Sequence, residues 1–232
     1  MAPVAPNWHI HRDADELAQA LAEAIARIAA ESIAQRGAFH LVLAGGHTPS
    51  ATYARLPQLG RRWQDWHLYY GDERYLPAGD PQRNDSMVTA QWTAKVPIPA
   101  RQHHRLTLAG TLEEAAAIYA RALPSQDFDL VLLGLGEDGH CASLFPGGDW
   151  GMEADAPAVL PVFDAVKPPP KRISLSAWRL RRSRRIFFLV TGAGKADAVA
   201  RWRSGEHIPA AVVGAGAEVW LDPDAAHWPR PE

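Results

Sequence analysis

The chain has 232 residues, 47% of them hydrophobic and 22% charged, which is typical of a globular protein with a substantial core. Its formal net charge of −2 excludes a general electrostatic attraction to nucleic acid or to an anionic membrane, so neither is expected as a partner. The single cysteine excludes an internal disulfide, and without a secretory signal pattern or an apolar run of about 18 residues we expect a cytoplasmic protein.

Helical and strand patterns alternate along the chain. The first element is an alanine-rich helix from Asp13 to Arg36, which the capping pair Asp13 and Glu16 begins and Gly37 ends. Short apolar strands and helical patterns then follow one another, separated by turns rich in glycine or charge. In chain order, the predicted elements are the strand Phe39–Leu43, a helix with Pro49 at its first position, the strand Trp66–Tyr70, the charged turn Gly71–Arg74, helices near Asn84–Thr93 and Thr111–Ala122, the strand Asp129–Leu133, the Pro- and Gly-rich region Pro146–Pro170, the strands Arg172–Leu175 and Ile186–Val190, the helix Gly194–Arg203 and the strand Val219–Leu221.

This alternation predicts the fold class. Strands separated by helices favour an α/β fold, a three-layer, Rossmann-like and mostly parallel sheet with helices on both faces. The run Lys167–Lys171 contains three prolines and resembles a linker. The chain after it holds too few elements for a core of its own, so we predict that residues 1–232 form a single domain.

The most informative segment follows the strand Asp129–Leu133. This strand ends in the turn Gly134–His140, which holds three glycines, two acids and one histidine. Ligands of open α/β sheets bind beyond the carboxyl ends of the strands, and histidine, with an ordinary pKa of about 6.5, can take a proton from water. A nearby carboxylate, such as Asp138, can fix the tautomer of the imidazole. A histidine that only packs or caps the turn is the alternative, but the glycines indicate crowding by a ligand or backbone, and we predict a catalytic His140.

A second group of residues suits an anion. The turn Gly45-Gly46-His47-Thr48 links a strand to a helix, where glycines permit close approach and backbone N–H groups favour negative charge. Lys195 opens a helix after another strand, and Arg172 begins what we expect to be the adjacent strand, where it could supply a two-pronged guanidinium. Taken alone, the glycine turn fits an ordinary strand–helix turn equally well, and each of the two cations is better explained as a surface residue. Together, at one edge of the sheet, they predict an anion site.

Three charged residues in a row, Asp72-Glu73-Arg74, follow the strand Trp66–Tyr70. They form either a solvated turn or the rim of a polar site. Taken alone, the solvated turn is the better interpretation, because surface loops are usually charged.

Nucleotide and metal sites are not predicted. Gly134–Gly139 matches G-x-G-x-x-G, but two carboxylates stand where a pyrophosphate would lie and Pro146 excludes a long following helix. Gly192–Ala196 lacks the first glycine and the final Ser or Thr of a P-loop. The adjacent His103 and His104 cannot both ligate one ion comfortably, and the chain contains no H-x-x-x-H or C-x-x-C spacing.

In combination, these segments resemble the 6-phosphogluconolactonase family within the glucosamine-6-phosphate isomerase superfamily. The most diagnostic run is Gly136–Gly147. Related glucosamine-6-phosphate deaminases share the Asp-Gly-His core but continue with an Asn-Glu-Pro type of ending, where this chain has Leu144-Phe145-Pro146. The segments that carry the resemblance are Ala44–Pro49, Trp66–Pro77, Asp129–Gly147, Lys167–Ser176, Val190–Val199 and the Trp220-Leu221-Asp222 ending.

The resemblance implies hydrolysis of 6-phospho-D-glucono-1,5-lactone, the lactone of the oxidative pentose phosphate pathway. It implies that the glycine turn, Arg172 and Lys195 bind the phosphate. We expect His140 to deprotonate the attacking water and Asp138 to orient His140.

The resemblance also implies roles for the charged turn. Arg74 would hold the substrate or the developing oxyanion, while Asp72 and Glu73 would bond ring hydroxyls or Arg74. No metal or organic cofactor is implied, because a lactone is already an activated ester. We expect a monomer whose partner is this small phosphorylated sugar lactone.

Four positions depart from the family pattern. Ala44 and His47 replace two serines of the glycine turn, which removes two hydroxyls and leaves the backbone contacts intact. Arg83 also replaces a serine and would add a cation near the substrate. Cys141 replaces a threonine, and we expect it to pack as a small apolar residue, since a thiol next to its base in sequence would face the wrong way.

Two alternatives remain at this point. The first is an isomerase or deaminase acting on an amino-sugar phosphate. The second is a non-catalytic sugar-phosphate-binding domain, against which the lack of a helix-turn-helix pattern or basic patch argues.

Overall fold

The computed structural model describes residues 4–226. Within these residues the strands are β1 (Asn7–Ile10), β2 (Phe39–Leu43), β3 (Trp66–Tyr70), β4 (Asp72–Arg74), β5 (Leu130–Leu133), β6 (Val159–Val162), β7 (Arg172–Leu175), β8 (Ile186–Val190) and β9 (Glu218–Leu221). The α-helices of the same part of the chain are α1 (Ala14–Arg36), α2 (His47–Tyr53), α3 (Leu56–Leu59), α4 (Asn84–Gln91), α5 (Leu112–Ala122), α6 (Ala177–Arg181), α7 (Ala196–Arg203), α8 (Pro209–Val213) and α9 (Pro223–Ala226).

The main sheet has six parallel strands in the order β1-β9-β8-β5-β2-β3. This confirms the predicted α/β fold with a mostly parallel sheet and helices. Strand β2 lies between β3 and β5, so that Val42 pairs with Tyr69 on one side and with Val131 on the other. The next two strands of the main sheet along the chain, β3 and β5, therefore lie on opposite sides of β2. Ligands of such sheets bind beside this reversal of strand order.

A second, three-stranded antiparallel sheet in the order β4-β7-β6 changes three predictions. The charged segment after β3 is a strand, not a turn. Strand β7 pairs with β4 and β6, so Arg172 does not begin the neighbour of β8. Strand β6 lies in the region predicted as an irregular loop, and it contains Pro161. Proline is tolerated there because β6 is the outer strand of this sheet, where a missing N–H breaks no ladder.

Two helix starts and one strand also differ from prediction. Helix α2 begins at His47, so Pro49 is its third residue, where its missing N–H is still harmless. A 3₁₀ turn, Ala193–Lys195, precedes α7. Strand β1 was not predicted, because an edge strand whose residues are half-exposed or exposed has no continuous apolar pattern.

Helix α1 has the predicted caps. The Asp13 carboxylate accepts a hydrogen bond from the Glu16 N–H at 2.8 Å, and Gly37 ends the helix with φ +80°. The left-handed conformation explains the glycine, because a side chain there would be strained. At 23 residues α1 is the longest described helix, and among residues 4–226 no helix is both long and apolar enough to span a bilayer.

Candidate active site

A cavity of about 450 Å³ opens at the carboxyl ends of β2, β3, β5 and β8. These four strands are neighbours in the sheet, so the turns that follow them meet at one edge. The cavity lies beside the chain reversal around β2, where ligands of this fold class bind. The predicted site residues that line it are Gly45, Gly46, His47, Thr48, Asp72, Arg74, His140, Arg172 and Lys195.

The turn after β5 brings His140 to this cavity. The Gly136 N–H donates to the His140 carbonyl at 2.8 Å, and Gly139 adopts φ +89°. A Cβ atom on Gly136 would lie 2.0 Å from His140 Nδ1. Gly136 is therefore required by the close packing of the imidazole over its own turn, and Gly139 by its left-handed backbone.

Asp138 fixes the orientation of the imidazole. Its Oδ1 lies 2.5 Å from His140 Nδ1 and accepts the His140 backbone N–H at 3.2 Å. Partial burial acts to raise the pKa of Asp138, but the hydrogen bonds and charge of His140 outweigh it and lower that pKa. An ionised carboxylate on Nδ1 leaves Nε2 as the nitrogen available for proton transfer.

Residues directly after His140 support it. The ring of Phe145 lies 4.8 Å from the His140 ring between centroids, and the Arg172 guanidinium carbon lies 6.0 Å from the Phe145 ring on the cavity side. Cys141 is fully buried, and burial raises the pKa of its thiol. This confirms the interpretation of Cys141 as a packing residue.

Asp72 joins three parts of the chain at the floor of the cavity. Its carboxylate accepts the Ser143 hydroxyl at 2.6 Å and the Asn84 side-chain amide at 3.2 Å, and lies 3.8 Å from Arg172 Nη1. A Cβ atom on Gly45 would lie 2.0 Å from the Asn84 side-chain oxygen. Asn84 thus explains why Gly45 must be glycine, a role that only the fold brings out.

Glu73 does not line the cavity, and of its two expected partners, a ring hydroxyl or Arg74, it contacts Arg74, through the backbone N–H. It is 1% exposed, and its carboxylate accepts the backbone N–H groups of Arg74, Asn84 and Asp85 at 2.7–2.9 Å. Burial raises its pKa to about 7, and the three hydrogen bonds oppose that rise. Glu73 instead holds the start of α4 against β4, where a negative charge suits the free N–H groups of the helix.

Arg83 is not a cation at the substrate either. It is 1% exposed, and its guanidinium pairs with both oxygens of Asp85 at 2.9 Å and with the Leu106 carbonyl at 2.9 Å. In contrast, Arg74 lines the cavity. Its Nη1 donates to the Gln82 carbonyl, while its buried Nε has no hydrogen-bond partner among residues 4–226.

Arg172 uses most of its donors on the chain itself. Its Nη2 donates to the Lys167 carbonyl at 2.6 Å and its Nε to the Pro169 carbonyl at 3.1 Å. Burial is the main cause of a lowered pKa for this residue, and Asp72 opposes it. The expected two-pronged grip on an anion is therefore unavailable in this conformation, because the remaining nitrogen, Nη1, lies 3.8 Å from the Asp72 carboxylate.

The predicted anion turn is tied to β8. Thr48 Oγ1 lies 2.6 Å from Thr191 Oγ1, so the Thr48 hydroxyl already has a protein partner. Thr191 and Lys195 both line the cavity. Burial lowers the pKa of Lys195, and the charge of Glu137 opposes that shift. No sequence pattern marked Thr191, because a single threonine after a strand is common.

The histidine pair outside the cavity has other contacts. His103 contacts the Tyr70 hydroxyl, and the His104 ring stacks on Tyr69 with centroids 4.4 Å apart. Over the described residues, no group of three or more His, Cys, Asp or Glu side chains could hold a metal ion.

Comparison with known proteins identifies the family. A family model for glucosamine-6-phosphate isomerases/6-phosphogluconolactonase matches residues 12–221. The 6-phosphogluconolactonase of Mycobacterium tuberculosis is 36% identical over 94% of this chain and 96% of its own, and that of Streptomyces coelicolor is 34% identical over 95% and 93%. The crystal structure of 6-phosphogluconolactonase from Thermotoga maritima is 26% identical, with a TM-score of 0.84 over 94% of this chain and 99% of its own. The chain belongs to the glucosamine-6-phosphate isomerase/6-phosphogluconolactonase family, as its sequence resemblance predicts.

Proposed function

We propose that this protein is an enzyme that hydrolyses 6-phospho-D-glucono-1,5-lactone to 6-phospho-D-gluconate, a step of the oxidative pentose phosphate pathway. The observation that carries this proposal is the shared cavity of a carboxylate-bound histidine, His140, and a set of anion-binding groups around Gly45–Thr48 and Lys195. The relatives named 6-phosphogluconolactonase, matched over nearly all of this chain, support it.

His140 acts as the general base. Asp138 holds Nδ1, so Nε2 accepts a proton from a water molecule as the water oxygen attacks the lactone carbonyl carbon. The bond between that carbon and the ring oxygen then breaks. The ring oxygen leaves as a hydroxyl group after taking the proton from His140, and the carboxylic acid that remains releases the second proton of the water to solvent and becomes the carboxylate of the product. Asp138 stabilises the transient imidazolium throughout.

Positive charge assists the attack. The carbonyl oxygen gains negative charge in the tetrahedral intermediate, and fixed donors directed at that oxygen lower the barrier. Arg74 lines the cavity with a buried Nε that lacks a partner among the described residues, so we assign it to the carbonyl oxygen or to an adjacent hydroxyl. Asp72 lines the same cavity and is the candidate acceptor for a ring hydroxyl.

The phosphate binds at the other end of the cavity. The backbone N–H groups of Gly45–Thr48 at the start of α2 and the ammonium of Lys195 supply the positive charge, and Arg172 holds the neighbouring loop through the Lys167 and Pro169 carbonyls. Backbone N–H groups at a helix start and a nearby lysine together favour a doubly charged anion.

The test compares the lactone with and without its 6-phosphate. Initial rates, corrected for spontaneous ring opening, should show that the phosphorylated lactone is hydrolysed with a kcat/KM at least about 100-fold higher, because charged contacts contribute roughly 1.5–3 kcal/mol each. Equal rates would remove the anion site from the proposal. Release of ammonia from glucosamine 6-phosphate without lactone hydrolysis would establish the family's other reaction instead, and binding without any turnover would indicate a sensor.

The protein is also proposed to act as a monomer, since the described residues of one chain surround the cavity from four strands. Light scattering during size-exclusion chromatography should give a mass near 25.4 kDa. A doubled mass would contradict this part of the proposal.

A further inference from the structure

Lys167 lines the cavity, although its sequence pattern predicted only a place in a proline-rich loop. Its side chain lines the cavity, and its Nζ lies 3.7 Å from Glu137 Oε1. Glu137 belongs to the turn that carries His140. Both side chains of this pair are more than half exposed, so water screens the contact and the pair is easily separated.

A second lysine shares the same carboxylate. Lys195 also lines the cavity, and the charge of Glu137 acts on it. After burial, the pKa of Lys195 is raised by Glu137, lowered by Lys167 as expected for two ammonium groups close enough to repel each other, and raised by Asp138. Glu137 is thus shared by two ammonium groups, whereas Asp138, the other carboxylate that acts on Lys195, is bound to His140.

Arg172 holds the loop that carries Lys167. Its Nη2 and Nε donate to the carbonyl oxygens of Lys167 and Pro169, from a guanidinium that is itself buried. The prolines that follow Lys167 restrict the backbone further. The position of the Lys167 Cα atom is therefore set by the fold, and only its flexible side chain remains to choose between Glu137 and a ligand.

We propose that Lys167 is a phosphate-binding, specificity-determining residue of this cavity, that Glu137 is the internal counter-ion which the substrate phosphate displaces, and that Arg172 positions Lys167. The proposal rests on the proposed function and deepens it. On arrival of the substrate the ammonium of Lys167 exchanges one exposed carboxylate for a doubly charged phosphate that Lys195 binds as well. The exchange favours the phosphorylated substrate over a neutral sugar lactone.

The first test replaces Lys167 with methionine, which keeps the length of the side chain and removes its charge. In Lys167→Met the KM for the phosphorylated lactone should rise about 10-fold, the loss of one charged contact, with kcat within about 2-fold. Hydrolysis of the unphosphorylated lactone should not change. The matched control is Lys171→Met, in the same loop but outside the cavity lining, and it should behave as the wild type. An unchanged KM in Lys167→Met overturns the proposal.

Glu137→Gln tests the counter-ion and should act in the opposite direction. Removing the competing carboxylate should lower the KM for the phosphorylated lactone about 3-fold at low salt, and the difference should shrink as salt rises. A higher or unchanged KM would show that Glu137 does not compete with the substrate.

A double-mutant cycle tests the positioning role of Arg172. If Arg172 acts through Lys167, Arg172→Lys should raise KM in the wild-type background but have little further effect in Lys167→Met. If the two substitutions raise KM by factors that multiply in the double variant, Arg172 contacts the phosphate independently of Lys167. Calorimetric binding of 6-phosphogluconate and of gluconate to the same variants gives the answer without turnover. If the protein hydrolyses no lactone, the proposed function fails and the binding data still test the inference. If Lys167→Met and the double variant both keep the wild-type preference for 6-phosphogluconate over gluconate, the inference fails and the proposed function stands.

Discussion

The two ends of the cavity are built in different ways. The turn after β5 sets His140 and Asp138 by contacts within a few residues, and a glycine makes room for the ring. The end proposed to bind phosphate instead depends on Arg172 and Thr191, which reach it from strands far apart in the chain. The comparison indicates that chemistry at His140 is protected from changes elsewhere, whereas binding of the phosphate depends on how distant segments pack.

The largest effect is expected from removing the imidazole. His140→Ala should reduce kcat by on the order of 10⁴-fold, because general base catalysis is lost, while 6-phosphogluconate still binds. Steady-state kinetics and calorimetry on the same preparation measure the two quantities. Wild-type turnover in this variant would eliminate the proposed mechanism.

Asp138→Asn should come next, with a fall in kcat on the order of 10³-fold. The amide no longer stabilises the imidazolium and no longer selects the tautomer that leaves Nε2 unprotonated. KM should change little, because Asp138 does not line the cavity. If kcat stayed within 10-fold of the wild type, the carboxylate would serve only to shape the turn.

Gly136→Ala tests how closely the turn fits the ring. The new Cβ atom would start 2.0 Å from His140 Nδ1, so the imidazole must move, and kcat should fall about 100-fold. Gly134→Ala is the matched control in the same turn, since a Cβ atom there meets nothing within 4 Å. Similar kcat values for the two variants would show that the ring has freedom the structure does not suggest.

Glu73 gives the smallest effect on catalysis, because it lies outside the cavity lining and affects stability instead. Its pKa of about 7 in the folded protein is above the ordinary value of 4.5, so the folded state binds a proton more tightly than the unfolded chain. Its contribution to the free energy of unfolding is therefore lost as pH rises from about 4.5 to about 7, by roughly 3 kcal/mol.

Urea unfolding at pH 5 and pH 8 measures that loss. Glu73→Gln has no charge to bury, so its stability should vary less between the two pH values, while kcat stays near the wild-type value. An identical pH dependence in wild type and variant would assign the effect to another group.

The main sheet and its catalytic turn were predictable because their patterns are local. The caps of α1, the apolar runs of β2, β3, β5 and β8, and the Asp-Gly-His turn each lie within a short window of sequence. The strand pairing of Arg172 and the helix contacts of Glu73 were not predicted, because their partners come from other elements. The three residues of β4 are too few to show a period, and Pro161 hides β6, so only β7 among the three strands of the small sheet has a local signal.

The hydroxyl pair of Thr48 and Thr191 has a consequence for the choice of substrate. The pair joins the segments after β2 and β8, the two strands on either side of β5. The predicted anion turn after β2 therefore cannot move away from the imidazole on the turn after β5 without breaking that contact. The span between the two ends of the site is thus fixed before any ligand arrives. A fixed span selects the substrate by the distance between its phosphate and its carbonyl group. Lactones one carbon shorter or longer between these two groups would contact one end of the site only.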